Sequence, residues 1–313
     1  MKVMITGAAG FVGAALTKKF LQEGHTVVAC YRTNFDRLVP LVDEYGNRLQ
    51  LKRNAIIGEA WSWPMDAFQD IELVVDLAWC GTSGPGRMDY GEQTLMAQDT
   101  ATFMEICYKR GVNRFVGVGS IAEFEIQNAV HDNRYSPSMS YCYALGKSLA
   151  HGLCKCIASQ EQWQNRSFVW PMLTNAYGPG EESPRLVNTT IRKILNNEKL
   201  EFSAGTQCYD FVYIDDVANA IYAIAMNGKK NYEYVIGSGE PQPLRKYIEE
   251  LIGVCAPGTK ASFGTLSPGY SLEPVFFIDD SIEKDTGWKP KTTFAAGIKQ
   301  TFDWWKTKEK ESE

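Results

Sequence analysis

The sequence predicts an α/β fold, a doubly wound parallel sheet joined to a smaller, discontinuous C-terminal lobe. Short apolar stretches such as Leu73-Val74-Val75 imply strands buried on both faces, and helical stretches alternate with them, which favours parallel pairing. Glycines at positions 7, 10 and 13 mark a tight turn from the first strand into the first helix.

Lys2-Val3-Met4-Ile5-Thr6 is apolar and β-branched, as a buried strand requires. Phe11, Val12, Ala15, Leu16 and Phe20 then recur at helical spacing against Lys18, Lys19, Gln22 and Glu23, and Gly24 ends that helix. A strand at 26–30 completes the first βαβ unit. Further strands are expected at 49–52, 73–77 and 115–118, with helices between them that include an amphipathic one at 91–110, stopped by Gly111. The helix carrying Tyr143 runs to about residue 160, strands at 167–170 and 212–214 follow, and the second of these leads into a helix through Met226. Residues 1–177 with 208–236 are thus expected to form the sheet domain. Residues 178–207 and 237–313 fall outside the alternation and are expected to form the smaller, substrate-binding lobe, with a frayed charged tail at 306–313.

A chain of 313 residues can bury a substantial core and exceeds the usual single-domain size. Its 32 basic and 37 acidic residues give a net charge of −5 with no basic run, which argues against a nucleic-acid-binding surface. No stretch approaches the length of an apolar membrane span, and the first residues enter a strand rather than a charged-then-apolar leader, so a cytoplasmic chain with no membrane partner is expected. The 8 cysteines are scattered without a Cys-x-x-Cys pair, and the expectation is reduced thiols with no metal site.

Gly7-Ala8-Ala9-Gly10-Phe11-Val12-Gly13 stands where a dinucleotide site needs it. Glycine permits the turn and the approach of the backbone to a pyrophosphate, and the helix N-terminus faces the phosphates. Tyr143 and Lys147 supply a second pattern. At i, i+4 on a helix they share a face, so the ammonium favours the tyrosinate and suits the phenol to general acid or base work.

With Ser120 upstream of Tyr143, the glycine turn and Lys147 resemble the extended short-chain dehydrogenase/reductases. The resemblance continues through Asn175-Ala176-Tyr177-Gly178-Pro179-Gly180, Asp210-Phe211-Val212-Tyr213-Ile214-Asp215-Asp216, and Gly287-Trp288-Lys289-Pro290. It covers essentially the whole chain and is closest to the nucleotide-sugar branch, the NAD-dependent epimerase/dehydratase group. It implies a Rossmann-type sheet and a homodimer formed through a helix bundle that includes the Tyr143 helix. Tyr143 would exchange a proton with the sugar hydroxyl or ketone, Lys147 would lower its pKa and bind the nicotinamide ribose, and Ser120 would hydrogen-bond the same sugar oxygen. Leu77, Ala78 and Trp79, at the end of the fourth strand, would line the cofactor, and Ser120, Glu123, Asn175 and Arg185 would contact the substrate. Ser120 also reads as an ordinary turn residue.

The end of the second strand, Ala29-Cys30-Tyr31-Arg32, offers no acid for the adenosine ribose. Tyr31 stands where NAD users of the family place Asp, and Arg32 suits a 2′-phosphate, so NADP(H) is expected over NAD(H), with solvated loop residues as the plainer reading of Arg32 and Arg37. The sugar 4,6-dehydratases place an acid two residues after the catalytic Ser or Thr, where this chain has Ala122. A reductase of a 4-keto nucleotide sugar, similar to the CDP-abequose and CDP-paratose synthases, is therefore the expected activity, with a 4-epimerase next and a non-catalytic regulator a remote third. Met96, Met172 and Tyr209 depart from the family pattern. Asp215 and Asp216 read as a helix N-cap, His151 as packed beside Lys147, His131 as a candidate site residue, and Trp304-Trp305 as part of the apolar face of a C-terminal helix.

Overall fold

The computed structural model describes residues 1–53, 60, 62–126, 138–267 and 271–312; the candidate His131 lies outside them. The chain divides into two compact units, Met1–Leu173 with Ala218–Tyr234 and Asp280–Trp288, and Thr174–Val217 with Val235–Asp279 and Lys289–Glu313.

The first unit is built on β1 (Lys2–Thr6), β2 (Thr26–Tyr31), β3 (Leu49–Arg53), β4 (Ile71–Asp76), β5 (Arg114–Gly117), β6 (Gly119–Ser120) and β7 (Ser167–Leu173). The pairs among them are parallel and their order is β3-β2-β1-β4-β5-β7, continuing to a strand at Tyr232–Ile236, with β6 also on β7. This is a doubly wound sheet that reverses direction between β1 and β4, where the carboxyl ends of the strands open a crevice. Val3, Met4, Ile5, Val27, Val74, Val75, Phe115 and Val116 are fully buried, which explains the continuous apolar runs. β7 extends to Leu173, beyond the expected end at 170, because Met172 and Leu173 pair with Gly119 and Ser120 past the break at Pro171.

Around the sheet lie α1 (Phe11–Gln22), α2 (Val39–Tyr45), α3 (Tyr90–Lys109) and α4 (Cys142–Ala158). Asp89 caps α3 by accepting the Glu92 N–H at 3.0 Å. α3 and α4 approach closely at Gly146, where an added Cβ would lie 2.9 Å from the Gln93 carbonyl oxygen.

The second unit contains three short strand pairs, Asn175–Tyr177 with Phe211–Tyr213, Cys208–Tyr209 with Gln242–Pro243, and Glu201–Phe202 with Ser262–Phe263. Tyr177, Phe211 and Tyr247 are buried against Phe294. The helix Phe294–Ser312 buries Ile298 and Trp305, and it continues through the tail expected to fray, where Lys308 pairs with Glu182. Asp215 and Asp216 are not N-caps. The helix Ile214–Asn227 begins before both, and the buried Asp216 carboxylate instead accepts the N–H groups of Lys291 at 3.1 Å and Thr292 at 2.8 Å.

Two glycines of α4 test this packing. Gly152 is exposed, with nothing within 4 Å of an added Cβ, so Gly152→Ala should stabilise by about 0.4–1 kcal/mol. Gly146→Ala should destabilise by about 1–3 kcal/mol through overpacking against Gln93. Urea unfolding of both variants checks the pair, and equal effects would contradict the close approach.

Candidate active site

The first strand-to-helix turn requires its glycines. Gly7 has φ +62°, and an added Cβ there would lie 2.9 Å from the Leu77 carbonyl carbon; at Gly13 it would lie 2.1 Å from the Gly7 oxygen. Gly10 is the N-cap of α1 with no side chain to satisfy the helix, and the first turn has no acid. The amides of Phe11, Val12 and Gly13 therefore have no partner within the helix, and the glycines let the turn pack closely beneath them, which fits a pyrophosphate at this N-terminus.

Thr6 ties β1 to β4 beside this turn. Its buried hydroxyl donates to the Asp76 carboxylate and accepts the amides of Leu77 and Ala78, both at 3.1 Å. At the end of β2, Tyr31 packs on Phe35 with ring centres 5.1 Å apart. Arg32 Nη1 donates to Cys80 Sγ at 2.7 Å, Arg37 Nη1 to the Ala9 carbonyl at 3.3 Å, and Arg53 Nε to the Arg32 carbonyl at 3.4 Å. Arg53 thus reaches the backbone of Arg32, while the Arg32 and Arg37 guanidinium groups turn to Cys80 and to the glycine turn.

Tyr143 and Lys147 occupy successive turns of α4, and both are buried. The Trp79 indole serves both. It meets the Tyr143 ring edge-on at 6.3 Å, and Lys147 Nζ lies over its face, 3.8 Å from a ring centre. Lys147 Nζ also donates to the Val118 carbonyl at 2.9 Å. Ser120, on β6, accepts the Ala122 N–H at 3.3 Å, and Ala122 packs in one cluster with Tyr143. The structure thus gathers the Tyr143, Lys147 and Trp79 side chains and brings the Ser120 segment against Tyr143.

Sequence reasoning missed two residues of this site. Arg87 lies with its guanidinium carbon 4.1 Å from the centre of the Tyr143 ring. The buried Gln93 accepts the Trp79 indole N–H at 2.8 Å and donates to the carbonyls of Gly81 at 3.1 Å and Gly86 at 2.9 Å, so it fixes the loop bearing both Trp79 and Arg87. A glutamine within an amphipathic helix carries no local pattern that separates it from a solvated residue. Met96, where the family pattern has Asn, accepts the Cys80 N–H on sulfur at 3.3 Å.

Glu123 requires a correction. Expected to contact substrate, it is 3% exposed, and its carboxylate accepts from the Ser120 amide at 2.9 Å, Trp170 Nε1 at 3.1 Å and His151 Nδ1 at 2.9 Å. Its backbone follows the tight β6 turn inward, so the side chain faces the sheet. Gly119 makes room for it, since a Cβ there would meet the Trp170 indole and the Glu123 carboxylate. His151 packs as expected, stacked on Trp170 with centroids 4.9 Å apart.

Burial pushes the Lys147 ammonium below the usual lysine range, while the negative charges of Glu123 and Asp76 act in the opposite direction. Burial likewise pushes the Asp76 carboxyl up, against the Thr6 hydrogen bond and the Lys147 charge.

In the second unit, Asn175 Nδ2 donates to the Asp210 carbonyl at 3.0 Å, and the exposed Arg185 stands at the N-cap of the helix Leu186–Leu195, with Nε 3.8 Å from Glu181. Tyr209 stacks on Phe211 at 5.8 Å. Among the described residues no group of His, Cys, Asp or Glu is placed to hold a metal ion, and no helix is long and apolar enough to cross a membrane.

Thr6→Val keeps the shape of the side chain but leaves the Leu77 and Ala78 amides and Asp76 without their partner. It should destabilise the fold by about 1–3 kcal/mol and weaken dinucleotide binding, measured by urea unfolding and by quenching of tryptophan fluorescence on titration with NADPH.

Comparison with known proteins agrees with this architecture. CDP-abequose synthase of Salmonella typhimurium is 24% identical over 95% of this chain and 96% of its own length, and dTDP-glucose 4,6-dehydratase of Escherichia coli is 29% identical over 97% and 92%. The solved structure of UDP-glucuronic acid 4-epimerase from Bacillus cereus in complex with NAD superposes with a TM-score of 0.79 at 21% identity, covering 99% of this chain and 98% of that one. Residues 3–237 match the NAD dependent epimerase/dehydratase family, and the chain belongs to that family.

Proposed function

We propose that the protein reduces the 4-keto group of a nucleotide-activated sugar with NADPH. The observation that carries the reading is the grouping of Tyr143, Lys147 and Trp79 beside the Ser120 segment, in a site whose second residue after Ser120 is Ala122 rather than the acid a dehydration needs. Gly7, Gly10, Phe11, Val12 and Gly13 would hold the pyrophosphate of the dinucleotide, with Leu77, Ala78 and Trp79 beside it. The bound dinucleotide would supply hydride to the sugar carbon. Tyr143 delivers its hydroxyl proton to the carbonyl oxygen, Ser120 donates a hydrogen bond to the same oxygen, and the Lys147 charge stabilises the phenolate that remains. Arg87, against the Tyr143 ring, adds a second positive charge on that phenolate.

Preference for NADPH is supported by Arg32 after β2, where the chain carries no acid, and by Arg53 beside its backbone. A homodimer is supported by Leu145, Leu149 and Leu153, which recur at i, i+4 and i+8 on α4 and are 47%, 45% and 38% exposed, an apolar stripe that a second copy would cover.

Oxidation of NADPH with a panel of CDP-, dTDP-, GDP- and UDP-linked 4-keto sugars tests the reading. Tyr143→Phe should lower kcat by about 10²–10⁴-fold with NADPH affinity retained; full activity in this variant would refute it. Arg32→Ala should weaken NADPH binding about tenfold or more and leave NADH binding unchanged, measured by titration calorimetry.

A further inference from the structure

Glu123 is buried and His151 largely so, both are ionisable, and the chemistry proposed above does not use them. Glu123 Oε1 takes the Ser120 amide at 2.9 Å and the Trp170 indole at 3.1 Å, while Oε2 takes His151 Nδ1 at 2.9 Å. The imidazole lies flat on Trp170, with an interplanar angle of 9°, so its plane is fixed. Its far nitrogen, Nε2, faces Glu233 Oε1 at 3.3 Å, a charge contact rather than an aligned hydrogen bond, and Lys155 closes on the same oxygen at 2.5 Å. A chain of contacts therefore runs from the Ser120 backbone to the surface.

We propose that Glu123 and His151 are positioning residues for Ser120, a buried clamp that fixes its backbone and is tightest when His151 is an imidazolium. The proposal rests on the reading of Ser120 as the residue that holds the substrate oxygen. Only the imidazolium presents an N–H to both carboxylates. The neutral ring has one N–H, and whichever nitrogen lacks it turns a lone pair toward a carboxylate. The buried Glu123 has more to lose than the half-exposed Glu233, so the neutral ring keeps its proton on Nδ1, gives up the Glu233 contact and holds Glu123 through an uncharged bond.

The groups facing His151 are Glu123 from the turn after β6, Glu233 from the strand Tyr232–Ile236, and Lys147 and Lys155 one turn either side on α4. β7 contributes the uncharged Phe168 and Trp170. Burial opposes charge on His151, but the hydrogen bond from Nδ1 to Glu123 and the negative charges of Glu123 and Glu233 outweigh it, and the imidazolium persists above the ordinary histidine range.

Hydrogen exchange of the Ser120 amide, followed by NMR on the full chain, reads the clamp without a substrate. His151→Phe keeps a ring on Trp170 but removes the charged donor, and exchange at Ser120 should accelerate about tenfold or more relative to wild type. Glu233→Gln, at the outer end, gives a second variant that does not disturb the core. It should lower the pH at which the His151 ring titrates in histidine-labelled protein, and with it the pH at which Ser120 protection falls. With a 4-keto sugar nucleotide, His151→Phe should lower kcat about tenfold, keep KM within about twofold, and lose the decline in kcat that follows His151 titration. Unchanged Ser120 exchange in folded His151→Phe, or a His151 titration indifferent to Glu233→Gln, would overturn the clamp. If exchange changes as described while no nucleotide sugar is turned over, the clamp stands and the functional reading fails.

Discussion

The ammonium of Lys147 is held almost entirely out of water, and the neighbouring parts of the first unit are arranged around that burial. An uncompensated buried charge costs several kcal/mol. Here it is offset by the Val118 carbonyl, the Trp79 ring face, and the negative charges of Asp76 and Glu123. Each of these is held in turn. Thr6 bonds Asp76, Gln93 bonds the Trp79 indole, and Trp170 with His151 bonds Glu123. Residues from β1, β4, α3, α4 and β7 thus converge on one cation.

The same network shows which parts of the protein are legible in its sequence. Strands buried on both faces produce apolar runs, and the glycine turn produces a local spacing, so the sheet and the turn could be read residue by residue. The Tyr143 and Lys147 pair is also local, four residues apart on α4. What could not be read is non-local. Glu123 reads as a substrate contact until His151 and Trp170 are brought against it, and Gln93 looks like any polar residue on α3. Asp216 looked like a cap because it precedes an apolar run. Its role depends on the backbone of Lys291 and Thr292, far away in sequence. The extension of β7 past Pro171 depends in the same way on β6 arriving beside it.

Family membership shows the chain's lineage, and the chemistry then turns on a few charges. The phenol of Tyr143 has a cation on its ring face at Arg87 and another at Lys147, linked to it through Trp79. No acid stands two residues after Ser120, and the acid that follows at Glu123 is committed to the backbone and to His151. Such a site is equipped to deliver a proton to an oxygen gaining negative charge. The position two residues after Ser120, where elimination from the sugar would use an acid, holds Ala122.

Transfer of deuterium from 4,4-dideuterated NADPH tests the proposed reduction most directly. With a 4-keto sugar nucleotide, the account predicts one deuterium at C4 of the sugar for each NADPH consumed, and no label with Tyr143→Phe. Interconversion of two sugar nucleotides with no deuterium incorporated and no NADPH consumed would contradict it and establish an epimerase that regenerates its own cofactor.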